Sequence, residues 1–142
     1  MAQAQVAEVE ELVITGIRAS QAASIETKRE APAIVDVITA QDVGKFPDKN
    51  VAEALQRVPG IQINREFGEG ERVSMRGLAF NLTRTLFNGH ALATADWFIL
   101  DQQAATRSFN YLMLPTDIIG KVTVHKSSRA DLDEGGIGGV VD

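Results

Sequence analysis

The chain has 142 residues, 44% of them hydrophobic, a formal net charge of −5 and no cysteine, so it has material for one globular core and none for a disulfide framework or a thiolate metal site. Its basic residues are scattered: outside the acidic ends, 14 bases face 12 acids, too even a balance for a nucleic-acid partner. No apolar run approaches the roughly 18 residues of a transmembrane helix.

Residues 1–10 are polar, rich in Ala and Gln, and lack any core-forming pattern; they read as disordered. Met1 followed by Ala-Gln-Ala-Gln reads as an initiator set before the first residues of a processed secretory protein. Leu12, Val13 and Ile14 then form a short apolar cluster between glutamates and Thr15-Gly16. It is either an edge strand of the domain or an extended peptide offered to another protein's sheet edge. Residues 17–31 have a weak helical period and mixed charge, which reads as a linker with one helical turn. The division expected is a flexible segment over 1–31 and a folded domain over 32–142.

Ile34, Val35, Val37 and Ile38 predict the first strand, interrupted by Asp36, and Thr39 caps a short helix ending at Gly44. The clearest pattern follows. Asn50 and Glu53 have capping-box spacing, and Val51, Ala54, Leu55 and Val58 make one apolar stripe on a polar helix. Pro59-Gly60 stops it. The period then becomes two: Ile61 and Ile63, a loop with Gly68 and Gly70, then Val73 and Met75 predict a hairpin under the helix. Thr83 to Phe87 reads as a strand, Asn88-Gly89 as a type I′ turn, and His90 to Ala93 as the return.

Residues 94–110 have no clean period and gather Trp97, Phe98 and Phe109 with Asp96, Asp101 and Arg107, a loop long enough to be functional or disordered. Tyr111 to Leu114 is apolar, Pro115 to Ile119 predicts a helical turn, and Val122 and Val124 mark a last strand. The sum is an α+β domain, a small mixed sheet of about four main strands carrying short helices.

No chemistry of bond making emerges. His90 and His125 have no ligand-spaced partner, no serine sits in a nucleophile elbow, and Gly135-Gly136-Ile137-Gly138-Gly139 has neither the Lys-Ser nor the following helix of a phosphate loop. Arg65, Arg72, Arg76 and Arg84 near Glu66, Glu69 and Glu71 form either a solvated charged face or a set of ion pairs to a surrounding wall. A hydrolase built on Asp96, Asp101 and His90 is the weakest reading. The chain is read as a non-enzyme with no catalytic residue, no metal and no cofactor.

Several stretches in order resemble the plug domain of TonB-dependent outer-membrane receptors: EELVITG resembles a TonB box (residues 10–16), VAEALQRVPGI with RVSMRG the family's core motif, LFNG its next hairpin, and IIGKVTVHKSSRADLDEGGIGGVVD the segment leading to the first barrel strand. The resemblance implies a gate in an active importer of the Gram-negative outer membrane, whose Glu11, Leu12, Val13, Ile14 and Thr15 pair with the TonB C-terminal domain. The sequence stops where the family continues into its barrel, so it implies an isolated, soluble plug parted from its own β-barrel. Open strand edges then allow a dimer at high concentration. GIRAS, KREA and IVDVITAQDVGKFPD resemble the carbohydrate-type branch, which implies an oligosaccharide held at apical loops by Phe80, Asn81, Asp96, Trp97 and Phe98. The alternatives are a siderophore-receptor plug and a free-standing periplasmic adaptor module.

Overall fold

The computed structural model of the chain describes residues 18–44, 48–92 and 108–142. Residues 18–30 form a continuous helix, α1, where the weak apolar period predicts a linker with one turn. What holds α1 is polar. Near its start the buried Ser20 places Oγ 2.5 Å from Thr39 Oγ1 and donates to Asp42 Oδ2 at 3.1 Å; near its end Lys28 pairs with Asp36. A helix tied by side-chain contacts at both ends needs no hydrophobic stripe, so periodicity does not reveal it.

The chain continues through β1 (Val35–Thr39), α2 (Ala40–Gly44), α3 (Val51–Leu55), β2 (Ile61–Glu66), β3 (Glu69–Met75), β4 (Thr83–Phe87), β5 (His90–Ala91), β6 (Lys121–His125) and β7 (Gly139–Val141). Five strands form one sheet in the order β1-β6-β7-β4-β5, with β2 and β3 a separate hairpin. The β4–β7 pair is parallel and the others antiparallel. This is the predicted mixed α+β architecture with one strand more: β7, drawn from the glycine-rich tail, sits in the middle of the sheet.

The helix-on-hairpin unit forms as its periods dictate. Asn50 accepts the Glu53 backbone N–H at 3.2 Å, while Glu53 Oε2 accepts from Lys49 N at 3.0 Å, one residue before the cap. Val51, Ala54, Leu55 and Val58 are buried, joined by Ala52; full burial of Leu55 alone is worth about 1.5–3 kcal/mol. Phe67 and Gly68, both at positive φ, make the reversal, and Gly70 belongs to β3 rather than to the loop. A Cβ on Gly70 would stand 2.9 Å from Ala52 Cβ, so its absence lets strand and helix backbones close up. The core then joins Val73 and Met75 to Val122, Val124, Val141 and Tyr111.

Register defines two ends of the sheet. Val35 pairs with His125 and Thr83 with Gly139 at one end; Thr39 pairs with Lys121 at the other, where Asp142 Oδ1 accepts from Gly89 N in the Asn88-Gly89 turn at 2.8 Å. The described chain begins at the Thr39 end. At the Thr83 end lie the 76–82 connection and residues 126–138.

Candidate functional site

The 76–82 connection is built from local bonds. Arg76 and Gly77, with φ of 55° and 73°, let Leu78 N donate to Met75 O at 3.0 Å. Phe80–Leu82 then forms a single 3-10 turn, closed by Leu82 N to Ala79 O at 3.0 Å and fastened by Gly138 N to Leu82 O at 3.0 Å.

Of the predicted ligand contacts, Phe80 is half-buried, with the Arg72 guanidinium 4.7 Å from its ring centroid, a cation–π stack that occupies one ring face. Asn81 is exposed beside it. Asp96, Trp97 and Phe98, the other half of the predicted ligand set, lie outside the described residues, as do Glu11, Leu12, Val13, Ile14 and Thr15.

The arginines divide. Arg65 reaches Glu53 at 3.3 Å and Gln56 at 3.0 Å, and Arg84 reaches Asp133 at 3.2 Å and the Glu134 carbonyl at 2.7 Å. Arg72 lies 3.6 Å from the buried Glu71, and Arg76 is exposed. Three of the four therefore tie parts of this domain together, which neither the solvated-face nor the wall-pairing reading anticipates.

A cluster of two lysines on one carboxylate, missed by sequence reasoning, joins α1 to the sheet. Asp36, read as an interruption of β1, is buried between Lys28 and Lys126, and Lys126 Nζ also donates to Pro59 O at 2.6 Å. Burial alone would raise the Asp36 carboxyl; the hydrogen bonds from Lys126 and Lys28 outweigh it and hold it below its ordinary 3.8. Alternation of apolar and acidic residues in a strand signals this only if basic residues elsewhere are known to converge on it.

Tyr111 is another buried polar anchor. Its hydroxyl lies 2.8 Å from Thr85 Oγ1, Phe109 meets its ring edge-on at 5.2 Å, and burial pushes the phenol far up, beyond the reach of neutral pH. It floors a cavity of about 330 Å³ at the Thr39 end, shared with Leu86, Leu114, Ile118 and Lys121. Of the histidines, His90 is exposed and His125 buried. Among the described residues no cluster of His, Asp and Glu could hold a metal ion, and no helix is long and apolar enough to cross a membrane.

The mixed sheet with its helix-capped hairpin recurs as a fold within solved receptors. The ferric enterobactin receptor PfeA of Pseudomonas aeruginosa, in a variant form, matches 82% of this chain with a TM-score of 0.60 and 22% identity, over 17% of that protein. The siderophore receptor PirA of Acinetobacter baumannii also gives 0.60, with 21% identity over 82% of this chain and 17% of its own. In sequence, the vitamin B12 transporter BtuB of Vibrio cholerae serotype O1 is 28% identical over 136 residues, 94% of this chain and 20% of that transporter. BtuB of Vibrio vulnificus is 31% identical over 97 residues, 68% of this chain and 15% of its own. The chain thus spans a fifth or less of the relatives it matches.

The family model of the TonB-dependent Receptor Plug Domain matches residues 27–140. The chain belongs to that family. The relatives' names are those of transporters and receptors, and none of them names a carbohydrate.

Proposed function

We propose that this plug is the gate of an active transporter of the Gram-negative outer membrane, seated in its own β-barrel and coupled to TonB through residues 10–16. The observation that carries the reading is the family match over residues 27–140. The layout supports it: among the described residues α1 sets Ser20, in the turn nearest the box in sequence, beside Thr39 at one end of the sheet. The Phe80–Leu82 turn lies at the other. Leu12-Val13-Ile14 suits addition to a sheet edge of the TonB C-terminal domain. Val13→Pro removes a donor from that strand and abolishes binding in a titration with the TonB domain; unchanged binding refutes the box.

In the same proposal Asn81 and the exposed side of Phe80 meet ligand together with Asp96, Trp97 and Phe98. An oligosaccharide is the class suggested by the sequence resemblance and by an indole that can cover a sugar's apolar face. A corrinoid is the second reading, because the relatives at 28–31% identity are named as vitamin B12 transporters. In the full-length receptor, Asn81→Ala with Trp97→Ala removes two contacts of about 1 kcal/mol each and weakens ligand binding about 30-fold, with TonB pairing intact. Measuring both ligand classes, and a ferric siderophore, on the same receptor decides between them; wild-type affinity for all in the double variant refutes the loop assignment. Sedimentation of the isolated plug over a concentration series tests self-association through strand edges.

A further inference from the structure

Strand register sets Val35, His125, Val140 and Arg84 in one row across β1, β6, β7 and β4. Paired residues share a face, and since their neighbours Val124 and Val141 enter the core, this row lies on the opposite face. Such a row would ordinarily be wet, yet Val35, His125 and Val140 are only 6%, 8% and 5% exposed.

Residues 126–138 fold back over it. Val140 shares a hollow of about 250 Å³ with Ser128, Arg129, Leu132 and Ile137, and a Cβ on Gly136 would stand 2.7 Å from Val140 Cγ2. The segment is latched by Arg84 to Glu134 O and Asp133, at its root by Ile34 N to Ser127 Oγ at 3.0 Å, and at its far end by Gly138 N to Leu82 O. Gly135 within the segment and Gly139 just after it, at φ of +113° and +141°, adopt backbone that other residues rarely take and so shape its path back into β7.

Under this cover His125 Nδ1 meets no hydrogen-bonding partner among the described residues. A neutral ring tolerates that; an imidazolium would bury a charge and a donor with nothing to receive it. The charged groups around the ring are Arg129 and Asp131 on the covering segment, Asp142 at the end of β7 and Arg84 in the same row, while the adjacent Lys126 is engaged by Asp36 and Pro59. We propose that residues 126–138 are a proton-released strap, closed over neutral His125 and freed when the ring is protonated. Burial first, then Arg129, push the ring below its ordinary 6.5, and Asp142 and Asp131 pull the other way without prevailing. The closed strap is therefore fully favoured above 6.5 and loses its advantage as the pH falls through and below that value. Because Gly138 fastens Leu82, release also unfastens the Phe80–Leu82 turn; only the effect on ligand rests on the proposed role of that turn.

Hydrogen exchange on the full 142-residue chain, corrected for intrinsic rates, tests the strap. Peptides within 126–138 lose about fivefold or more of their protection between pH 8 and pH 5, while those of β2 and β3 hold theirs. His125→Gln, neutral at every pH, makes the strap's protection independent of pH. Should that variant not fold, the ring signals of His125 in the wild type report the same equilibrium by NMR. A midpoint at the ordinary 6.5 with unchanged strap protection, or the same acid loss in His125→Gln, overturns the proposal. Neither readout involves TonB or a ligand, so such a failure is separate from failure of the gate reading.

Discussion

Asn50 is 2% exposed and serves two elements at once. Its Oδ1 caps α3 at Glu53 N, and its Nδ2 donates to Gly70 O at 2.8 Å. Asn50→Ala removes both bonds: the cap is worth about 1 kcal/mol, and the Gly70 carbonyl, left buried without its donor, costs about 1–3 kcal/mol more. The expected loss is about 2–4 kcal/mol, or roughly 5–15 °C in Tm for a chain of this size. Asn50→Asp separates the two effects, because it keeps the acceptor for Glu53 N and turns the donor toward Gly70 into a second acceptor. Urea unfolding followed by circular dichroism, with unchanged m-values, measures both variants. If Asn50→Asp stays within about 0.5 kcal/mol of the wild type while Asn50→Ala falls, only the cap matters and the helix–hairpin bridge is misjudged.

Two further outcomes follow from contacts on either side of that unit. Asp36→Asn leaves Lys126, whose side chain is 15% exposed, without its carboxylate and costs about 1–3 kcal/mol at pH 7, the half-exposed Lys28 adding little. Because the wild-type carboxyl is held below 3.8, its contribution is present above that value and fades as the pH falls through and beneath it; the unfolding midpoints of the two proteins should therefore stand apart at pH 7 and approach each other at pH 3. Gly70→Ala forces a methyl to 2.9 Å from Ala52 Cβ and destabilises by about 1–3 kcal/mol. Ala52→Gly in the same chain should recover part of that loss, read as a coupling in a double-mutant cycle.

How much of this was legible in the sequence depended on whether a segment's partners were local. The change of period from 3.6 to 2 at Pro59-Gly60 marks α3 and its hairpin because the stripe and the alternation belong to the segment itself. Asn88 and Gly89, at φ of 53° and 76°, satisfy the hairpin turn by their own backbone preferences. Gly70 reads as a loop residue for the opposite reason, since what requires a glycine there is Ala52 of α3, far from it in the chain. The sequence of 18–30 reads as linker because Thr39, Asp42 and Asp36, not an apolar face, hold the helix. The site is less legible still: the resemblance sets Phe80 and Asn81 side by side as ligand contacts, whereas Arg72 from β3 stacks on one face of the ring and leaves Phe80 half-buried beside the exposed Asn81.

The strand that sequence reading missed holds the sheet together. Three residues in β7 are too few for a period to show, and the glycines before them read as a turn; yet β7 alone joins β6 on one side to β4 on the other. Without it the sheet divides into β1–β6 and the β4–β5 hairpin, neither of which is stable by itself. Deleting residues 138–142 removes those ladders, the Asp142 bonds to Thr123 and Gly89, and the burial of Val140 and Val141, at 5% and 2% exposure. Burial of the two valines alone is worth about 3–6 kcal/mol, a large part of the 5–15 kcal/mol that about describes a domain's whole stability. The truncated chain should therefore lose cooperative thermal unfolding, and its near-ultraviolet dichroism from Tyr111 should collapse, because that ring is pinned between Thr85 and the core that β7 completes. A cooperative transition within about 5 °C of the wild type would show that β4 and β6 are held by the helix–hairpin unit instead, and that β7 is an addition to a sheet already formed.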